Sequence, residues 1–350
     1  MLIFEKKKTY ILIILLIYDL YLVYKSFKNK FVLLKIYIYK KLLNKIVCEI
    51  DISGINSKKG PGNFINGINQ VLPFIFEKCC FISSKIINNF LQPDFYFIPF
   101  PQFTQKQYIE FIKSKIINKF ILGPIFVPKY WLAFPDKKYW IESQFPYLFK
   151  QVKGIAVHST RVKDHLSNRA NITKDLNKFI IMRPCTNIKP IKIKSFTERE
   201  IDILFFEKYA DLNRRKQGRI LLNLFKNTSK RIESIKYGGY NKNFLKQLAN
   251  NSKFIIYFSF FDTGAIGLKE IQNFGVICFS HQKEFIIDNE TSYYIPELAN
   301  INNIELAFHK IMKIIGFLSY SNIKTELIAK KNQMINKCEN SLVDLCKNLF

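Results

Sequence analysis

Two acidic residues eight positions apart form the most chemically informative pair in the sequence. Asp262 lies in a predicted loop that also contains Gly264, and Glu270 lies two turns into the helical stretch that follows, after Gly267. The glycines let the backbone approach a ligand closely, and the start of a helix offers free N–H groups that bind phosphate. We expect both carboxylates to face one cleft at the carboxyl end of a parallel sheet, where ligands of α/β proteins bind.

Basic residues cluster after a strand predicted at 201–206. Lys208 follows this strand closely, and Lys216 lies at the start of the next predicted helix. Positive charges at these places are suited to neutralising a diphosphate. A solvated basic loop explains the same residues, because the chain carries 54 lysines and arginines in total.

A glycine-containing turn opens the first predicted helix. Gly60, Gly62 and Asn63 come shortly after a strand predicted at 46–52 and precede an amphipathic stretch. An ordinary turn between a strand and a helix accounts for these glycines as well.

Short β-branched runs alternate with helical stretches from residue 46 onward, which is typical of parallel sheets with helices on both faces. The first series has predicted strands at 46–52, 95–100, 120–126, 154–158 and 179–182, and helices at 64–79, 105–119 and 160–167. The second has strands at 201–206, 232–237, 254–259 and 276–279, and helices at 216–227, 243–250, 265–274 and 304–318. The predicted regions are an N-terminal segment (1–45), a first lobe (46–194), a second lobe (195–320) and terminal helices (321–350).

The N-terminal segment contains a nearly unbroken apolar stretch at 9–24, flanked by lysines. We expect a hydrophobic helix that acts as a signal anchor or lies in the membrane interface, aided by the basic stretch 31–45. The stretch is shorter than the roughly 20 residues that span a bilayer, and it contains Asp19. A helix that packs on the protein itself is the alternative.

The composition is that of a folded and strongly basic protein. Of the 350 residues, 48% are hydrophobic and 15% aromatic, which excludes a disordered chain. The net charge of +27 favours anionic partners, although the codon bias of an AT-rich gene explains part of it. Nucleic acid is disfavoured as a partner, because the basic residues are scattered and no nucleic-acid-binding motif occurs.

The seven cysteines have no CxxC spacing, and we expect them to be reduced thiols. The four histidines lack the spacing of a zinc enzyme.

The region around the acid pair resembles the donor loop of the retaining group-1 glycosyltransferases of GT-B architecture. The matching positions are Asp262, Glu270, Gly275 after the helix, and the turn at 288–291. The first acid is Asp instead of the usual Glu, Lys269 precedes the second acid, and a serine replaces the glycine of the last turn.

The resemblance implies two Rossmann-like lobes that close over a nucleotide sugar and transfer its sugar with retention of configuration. It implies catalytic roles for Asp262 near the sugar and for Glu270 near the ribose hydroxyls, with no metal and no other cofactor. The implied donor contacts also include Lys208, Lys216, Gly264 and Gly267. On the acceptor side it implies the loop of Gly60, Gly62 and Asn63.

We therefore expect a glycosyltransferase that acts on a glycan or a lipid-linked acceptor. Its expected location is a membrane, with the catalytic part facing the cytosol, or the cytoplasm. An inactive GT-B-like scaffold or binding protein is the alternative, because of the departures from the family pattern.

Overall fold

The computed structural model describes most of the chain after residue 45. The described residues are 46–52, 60–84, 93–99, 110–124, 148–169, 176–186, 192–208, 212–237, 239–259, 265–283 and 291–349. The predicted hydrophobic segment 9–24 lies outside them. Among the described helices, none combines the length and the apolar character needed to cross a bilayer.

The first lobe is built on a seven-stranded sheet with the strand order β2-β3-β1-β4-β5-β6-β7. Its strands are β1 (Ile46–Asp51), β2 (Phe74–Phe76), β3 (Cys79–Ser84), β4 (Phe95–Ile98), β5 (Phe120–Leu122), β6 (Gly154–Val157) and β7 (Phe179–Ile181). Among its described residues, the longer helices are α1 (Gly60–Val71) and α2 (Thr160–Arg169). All neighbouring strands are parallel except β2 and β3. The central strands β1, β4, β5 and β6 are buried on both faces, as parallel strands covered by helices are.

The antiparallel pair β2 and β3 corrects one prediction. The sequence pattern predicts a helix over 64–79, but α1 ends at Val71 and two strands follow. Pro73 explains the early end, because proline lacks an N–H group and disfavours helical geometry in the residue before it. The chain after the proline then forms the edge of the sheet.

The second lobe is built on a five-stranded parallel sheet with the order β12-β11-β10-β8-β9. Its strands are β8 (Ile201–Lys208), β9 (Ile232–Lys236), β10 (Ser252–Ser259), β11 (Ile277–Ser280) and β12 (Ser292–Tyr294). Its helices are α3 (Leu212–Lys226), α4 (Lys242–Asn251), α5 (Ile266–Gln272) and α6 (Ile304–Ser319). Two buried clusters cover its two faces, one under α3 and α6 and the other under α4 and α5.

The last two helices, α7 (Thr325–Ile335) and α8 (Cys338–Leu349), lead the chain from the second lobe back to the first. Helix α7 contacts α5, whereas α8 contacts β7, β2 and α1. Leu342 and Leu345 of α8 are fully buried in the core of the first lobe. The C-terminal helix is therefore an integral part of the first lobe.

A disulfide joins Cys79 of β3 to Cys346 of α8. The expectation of seven reduced thiols is therefore wrong for this pair. The other five cysteines are buried and form no disulfide. The two partners are 267 residues apart in the chain, so no local spacing in the sequence indicates the bond.

Candidate functional site

A basic pocket lies at the carboxyl end of β8 in the second lobe. It has a volume of about 310 Å³ and is lined by Glu207, Lys208, Arg215, Arg219, Lys236 and Tyr237. Parallel pairing brings Glu207 beside Lys236 at the ends of β8 and β9. Four cationic side chains against one carboxylate make the pocket positive, and this edge of a parallel α/β sheet is where such folds bind ligands.

One wall of the pocket is formed by Lys208 and Tyr237. The Lys208 Nζ atom lies 4.4 Å from the centre of the Tyr237 ring, within the range of a cation–π contact. The N–H of Tyr237 donates to the backbone carbonyl of Glu207 at 2.9 Å, which ties the end of β9 to β8. The tyrosine ring thus stands beside the cationic group as a flat apolar surface.

Arg215 and Arg219 of α3 also line the pocket. Residues four apart on a helix share a face, so both guanidinium groups reach the pocket. The predicted residue Lys216 lies on the same helix but is exposed and does not line the pocket. The sequence shows the cluster of basic residues. The spacing of four residues, which puts 215 and 219 on the same face of a helix, is the feature that distinguishes these arginines from Lys216.

Helix α5, which carries Glu270, packs against the residues next to this pocket. A Cβ atom on Gly267 would lie 3.2 Å from the Tyr240 hydroxyl and 3.5 Å from the Phe206 ring. Phe206 precedes the pocket residues of β8, and Tyr240 follows those of β9. Gly267 therefore allows α5 to pack closely on Phe206 and Tyr240, and Glu270 is buried one turn further along the helix.

The start of α5 also faces the first lobe. Ile266 packs against the core cluster that contains Phe64 and Ile65 of α1, and the two helices are in contact. Gly60, Gly62 and Asn63 form the first turn of α1. The helix that begins with the predicted acceptor-side residues thus lies against the helix of Glu270.

A polar contact joins the two lobes beside the carboxyl edge of the second sheet. Arg161 of α2 donates to the Gln282 side chain at 3.2 Å, and Gln282 donates to the carbonyl of Ser259 at 2.9 Å. Ser259 is paired with Lys208 across β10 and β8. The edge that carries the basic pocket is therefore also where the lobes meet.

The carboxyl end of α5 is held by both connections between the lobes. The Asn273 side chain donates to Thr186 Oγ1 at 2.7 Å and accepts from the Asn336 side chain at 2.8 Å. Thr186 lies in the connection after β7, and Asn336 lies between α7 and α8. In addition, Asn332 of α7 donates to the carbonyl of Gln272. The position of α5, and with it that of Glu270, is thus coupled to the arrangement of the two lobes.

Gly275, just after α5, has a left-handed conformation with φ of +73°. A Cβ atom at this position would lie 2.3 Å from the Thr325 carbonyl oxygen. Nearby, the buried Arg199 guanidinium donates to the carbonyls of Ser252 and Phe274. Burial lowers the pKa of Arg199 to about 10. This end of α5 therefore packs too closely for any residue larger than glycine at 275.

Lys269, directly before Glu270, carries an amine into the core of the second lobe. The residue is 6% exposed, and burial lowers its pKa to about 8, while the nearby Cys278 thiol acts in the opposite direction. Burial likewise raises the pKa of Cys278, to about 12. At this position the chain places a titratable group in an apolar environment.

Several predicted residues lie outside the described part of the chain. They are Asp262, Gly264 and positions 288–290 of the predicted turn. The distance between Asp262 and Glu270 therefore stays a prediction, as do the roles assigned to the acid pair.

Comparison with solved structures identifies the fold. The chain is similar to sucrose-phosphate synthase from Thermosynechococcus elongatus, with a TM-score of 0.53 and 9% identity over 87% of this chain and 99% of that chain. A lipopolysaccharide outer core galactosyltransferase, WaaB, in its apo form, matches with a TM-score of 0.49 and 14% identity over 86% and 99%. No protein-family model matches the chain, and no curated protein matches its sequence. The match to the synthase supports the predicted Rossmann-like α/β fold.

Proposed function

We propose that this chain is a glycosyltransferase that moves a sugar from a nucleotide-sugar donor to a glycan or a lipid-linked acceptor. The observation that carries the proposal is the basic pocket at the carboxyl end of β8, where Lys208, Arg215 and Arg219 converge. Its position in the second lobe of a two-lobed α/β fold is suited to binding a nucleoside diphosphate.

In the proposed reaction, the pocket stabilises the diphosphate as it leaves the sugar. Negative charge develops on the leaving oxygen as the glycosidic bond breaks, and fixed cations lower the energy of that charge. Guanidinium groups bind phosphate oxygens in pairs, and an ammonium group adds a point charge. In this proposal the side chains take the place of a metal ion.

The carboxylates are assigned by the resemblance to group-1 enzymes. We assign Asp262 to the transferred sugar and Glu270 to the ribose hydroxyls, with retention of configuration. Gly264 and Gly267 border the donor. The Tyr237 ring, which lies 4.4 Å from Lys208 Nζ, offers a surface for the nucleoside. The contact between α1 and α5 supports an acceptor site beside Gly60, Gly62 and Asn63.

The test is to measure binding and turnover of nucleotide sugars by the full chain. UDP, GDP, ADP and their sugars are screened by thermal unfolding, where a ligand at about 100 times its Kd adds roughly 2.7 kcal/mol of stability. We expect one nucleotide class to stabilise the protein and its sugar to be consumed. Glu270→Gln is expected to abolish turnover, whereas Glu305→Gln, at an exposed acid of α6, retains it.

The outcomes separate the proposal from its alternative. Binding without sugar consumption, with or without an acceptor extract, would identify an inactive GT-B-like binding protein. A folded protein that binds none of these nucleotides would contradict the proposed function altogether.

A further inference from the structure

One face of α6 presents large apolar side chains to solvent. Leu306 is 57% exposed, Phe317 75% and Tyr320, directly after the helix, 94%. At about 100° per residue these positions and the exposed Lys313 fall within about 60° of one another around the helix axis. We call Leu306, Lys313, Phe317 and Tyr320 the α6 stripe.

The opposite face of α6 fixes the direction of the stripe. Ile304, Ala307, Ile311, Ile315 and Leu318 are buried in the core of the second lobe. Because this face cannot leave the core, the stripe points away from the protein along the whole helix. An aromatic side chain that is 94% exposed makes almost no contact with its own chain.

The segment that carries the stripe has an excess of basic residues. No aspartate or glutamate occurs between Glu305 and Glu326, whereas Lys310, Lys313 and Lys324 fall in this interval. Lys310 pairs with Glu297 at 2.9 Å. Lys313 and Lys324 are exposed and lie on either side of the two aromatic rings in sequence. A complementary surface must therefore be both apolar and anionic.

We propose that the α6 stripe docks on the surface of an anionic lipid bilayer. Aromatic rings favour the boundary between headgroups and acyl chains, where Phe317 and Tyr320 leave water. Lysine side chains beside them keep their ammonium groups among the lipid phosphates. This contact does not depend on the segment 9–24, nor on the proposed transferase activity.

The experiment places a fluorescent reporter on the stripe of the full chain. Trp131 and Trp140, the two tryptophans of the sequence, are replaced by phenylalanine, and Tyr320→Trp adds a single reporter. A matched control protein carries Phe244→Trp instead, at an exposed apolar position of α4. Vesicles of equal parts phosphatidylglycerol and phosphatidylcholine carry bromine on the acyl chains, and acrylamide reports exposure to water.

We expect the lipid bromines to quench the reporter at 320 several times more strongly than the reporter at 244, with acrylamide quenching at 320 falling in parallel. Phosphatidylcholine vesicles alone are expected to give no such effect. The pair Lys313→Glu and Lys324→Glu is expected to weaken vesicle binding through the stripe about thirtyfold or more, at roughly 1 kcal/mol per removed lysine charge.

Three results would overturn the proposal. In the first, acrylamide quenching at 320 does not change when vesicles are added. In the second, both reporters are quenched equally by lipid, which would show that another part of the chain holds the protein on the vesicle. In the third, position 320 is shielded from both quenchers, which would show that protein covers the stripe.

Discussion

Arg215 and Arg219 lie one helical turn apart on α3 and reach the same pocket. A guanidinium that binds a diphosphate contributes a charge-assisted hydrogen bond of roughly 1.5 to 3 kcal/mol. Arg219→Gln is therefore expected to weaken nucleoside diphosphate binding by about tenfold to a hundredfold, measured by titration calorimetry with the nucleotide that binds best.

Lys216→Gln is the matched control for this prediction. It removes one positive charge from the same helix, but Lys216 is exposed and does not line the pocket. We expect it to change the Kd by less than about threefold, since a charge outside the pocket makes no contact with the nucleotide and acts on it only through solvent. Equal losses in the two variants would show that general positive charge, and not the pocket, binds the nucleotide.

The buried Lys269 amine makes stability depend on pH. Burial lowers its pKa from 10.5 to about 8, so below pH 8 the folded protein carries a poorly solvated charge, which costs about 3 kcal/mol. Between pH 8 and 10.5 the unfolded chain keeps this proton while the folded chain loses it. Stability from this group therefore rises with pH across that window.

Replacing this lysine by an apolar residue of similar length tests whether stability rises with pH because of this group. Lys269→Met is expected to raise the free energy of unfolding at pH 7 by about 1 to 3 kcal/mol and to flatten the rise above pH 8, as measured by urea unfolding. Lys330→Met, on the exposed side of α7, should leave both unchanged. A destabilised Lys269→Met variant would show that the amine has a polar partner that it needs.

At the scale of elements, the packing at the carboxyl end of α5 requires glycine at position 275. Gly275→Ala forces a side chain into a left-handed conformation and against the Thr325 carbonyl, only 2.3 Å from the new Cβ. We expect a loss of about 2 to 4 kcal/mol in the free energy of unfolding. Gly316→Ala in α6 is the control, because nothing lies within 4 Å of its Cβ position.

Alanine at 316 is expected to stabilise the protein by about 0.5 to 1 kcal/mol, since glycine inside a helix costs conformational entropy. Opposite signs for the two glycine variants, measured in the same urea titration, would support the close packing of α5 on α7. A neutral Gly275→Ala variant would contradict it.

The elements of the second lobe could be predicted well because each has a clear local signal. The strands at 201–206, 232–237, 254–259 and 276–279 are β-branched runs, and all four are observed within a few residues. The short strands β2, β3 and β12 could not be predicted, because they gain stability from pairing at sheet edges and carry little periodicity of their own.

The site was predicted less completely, for a geometric reason. The sequence indicated Lys208 and a basic helix start, but only the helical phase within the folded lobe directs Arg215 and Arg219 to the pocket. The amide contacts of Asn273 join segments more than 60 residues apart, so no local pattern indicates them.

At the scale of the whole molecule, α8 brings the chain back to the first lobe and packs there. The disulfide between Cys79 and Cys346 links α8 covalently to β3 of that lobe. A cross-link over so long a loop restricts the unfolded chain, which stabilises the folded state by roughly 2 to 5 kcal/mol.

We expect dithiothreitol to lower the free energy of unfolding of the native chain by about this amount. The double variant Cys79→Ala and Cys346→Ala should start lower and not respond to the reductant. Thiol titration of the unreduced, unfolded chain should find five thiols, because the remaining five cysteines form no disulfide. Seven titrating thiols would show that α8 is held without the disulfide, by contacts such as those of its buried Leu342 and Leu345.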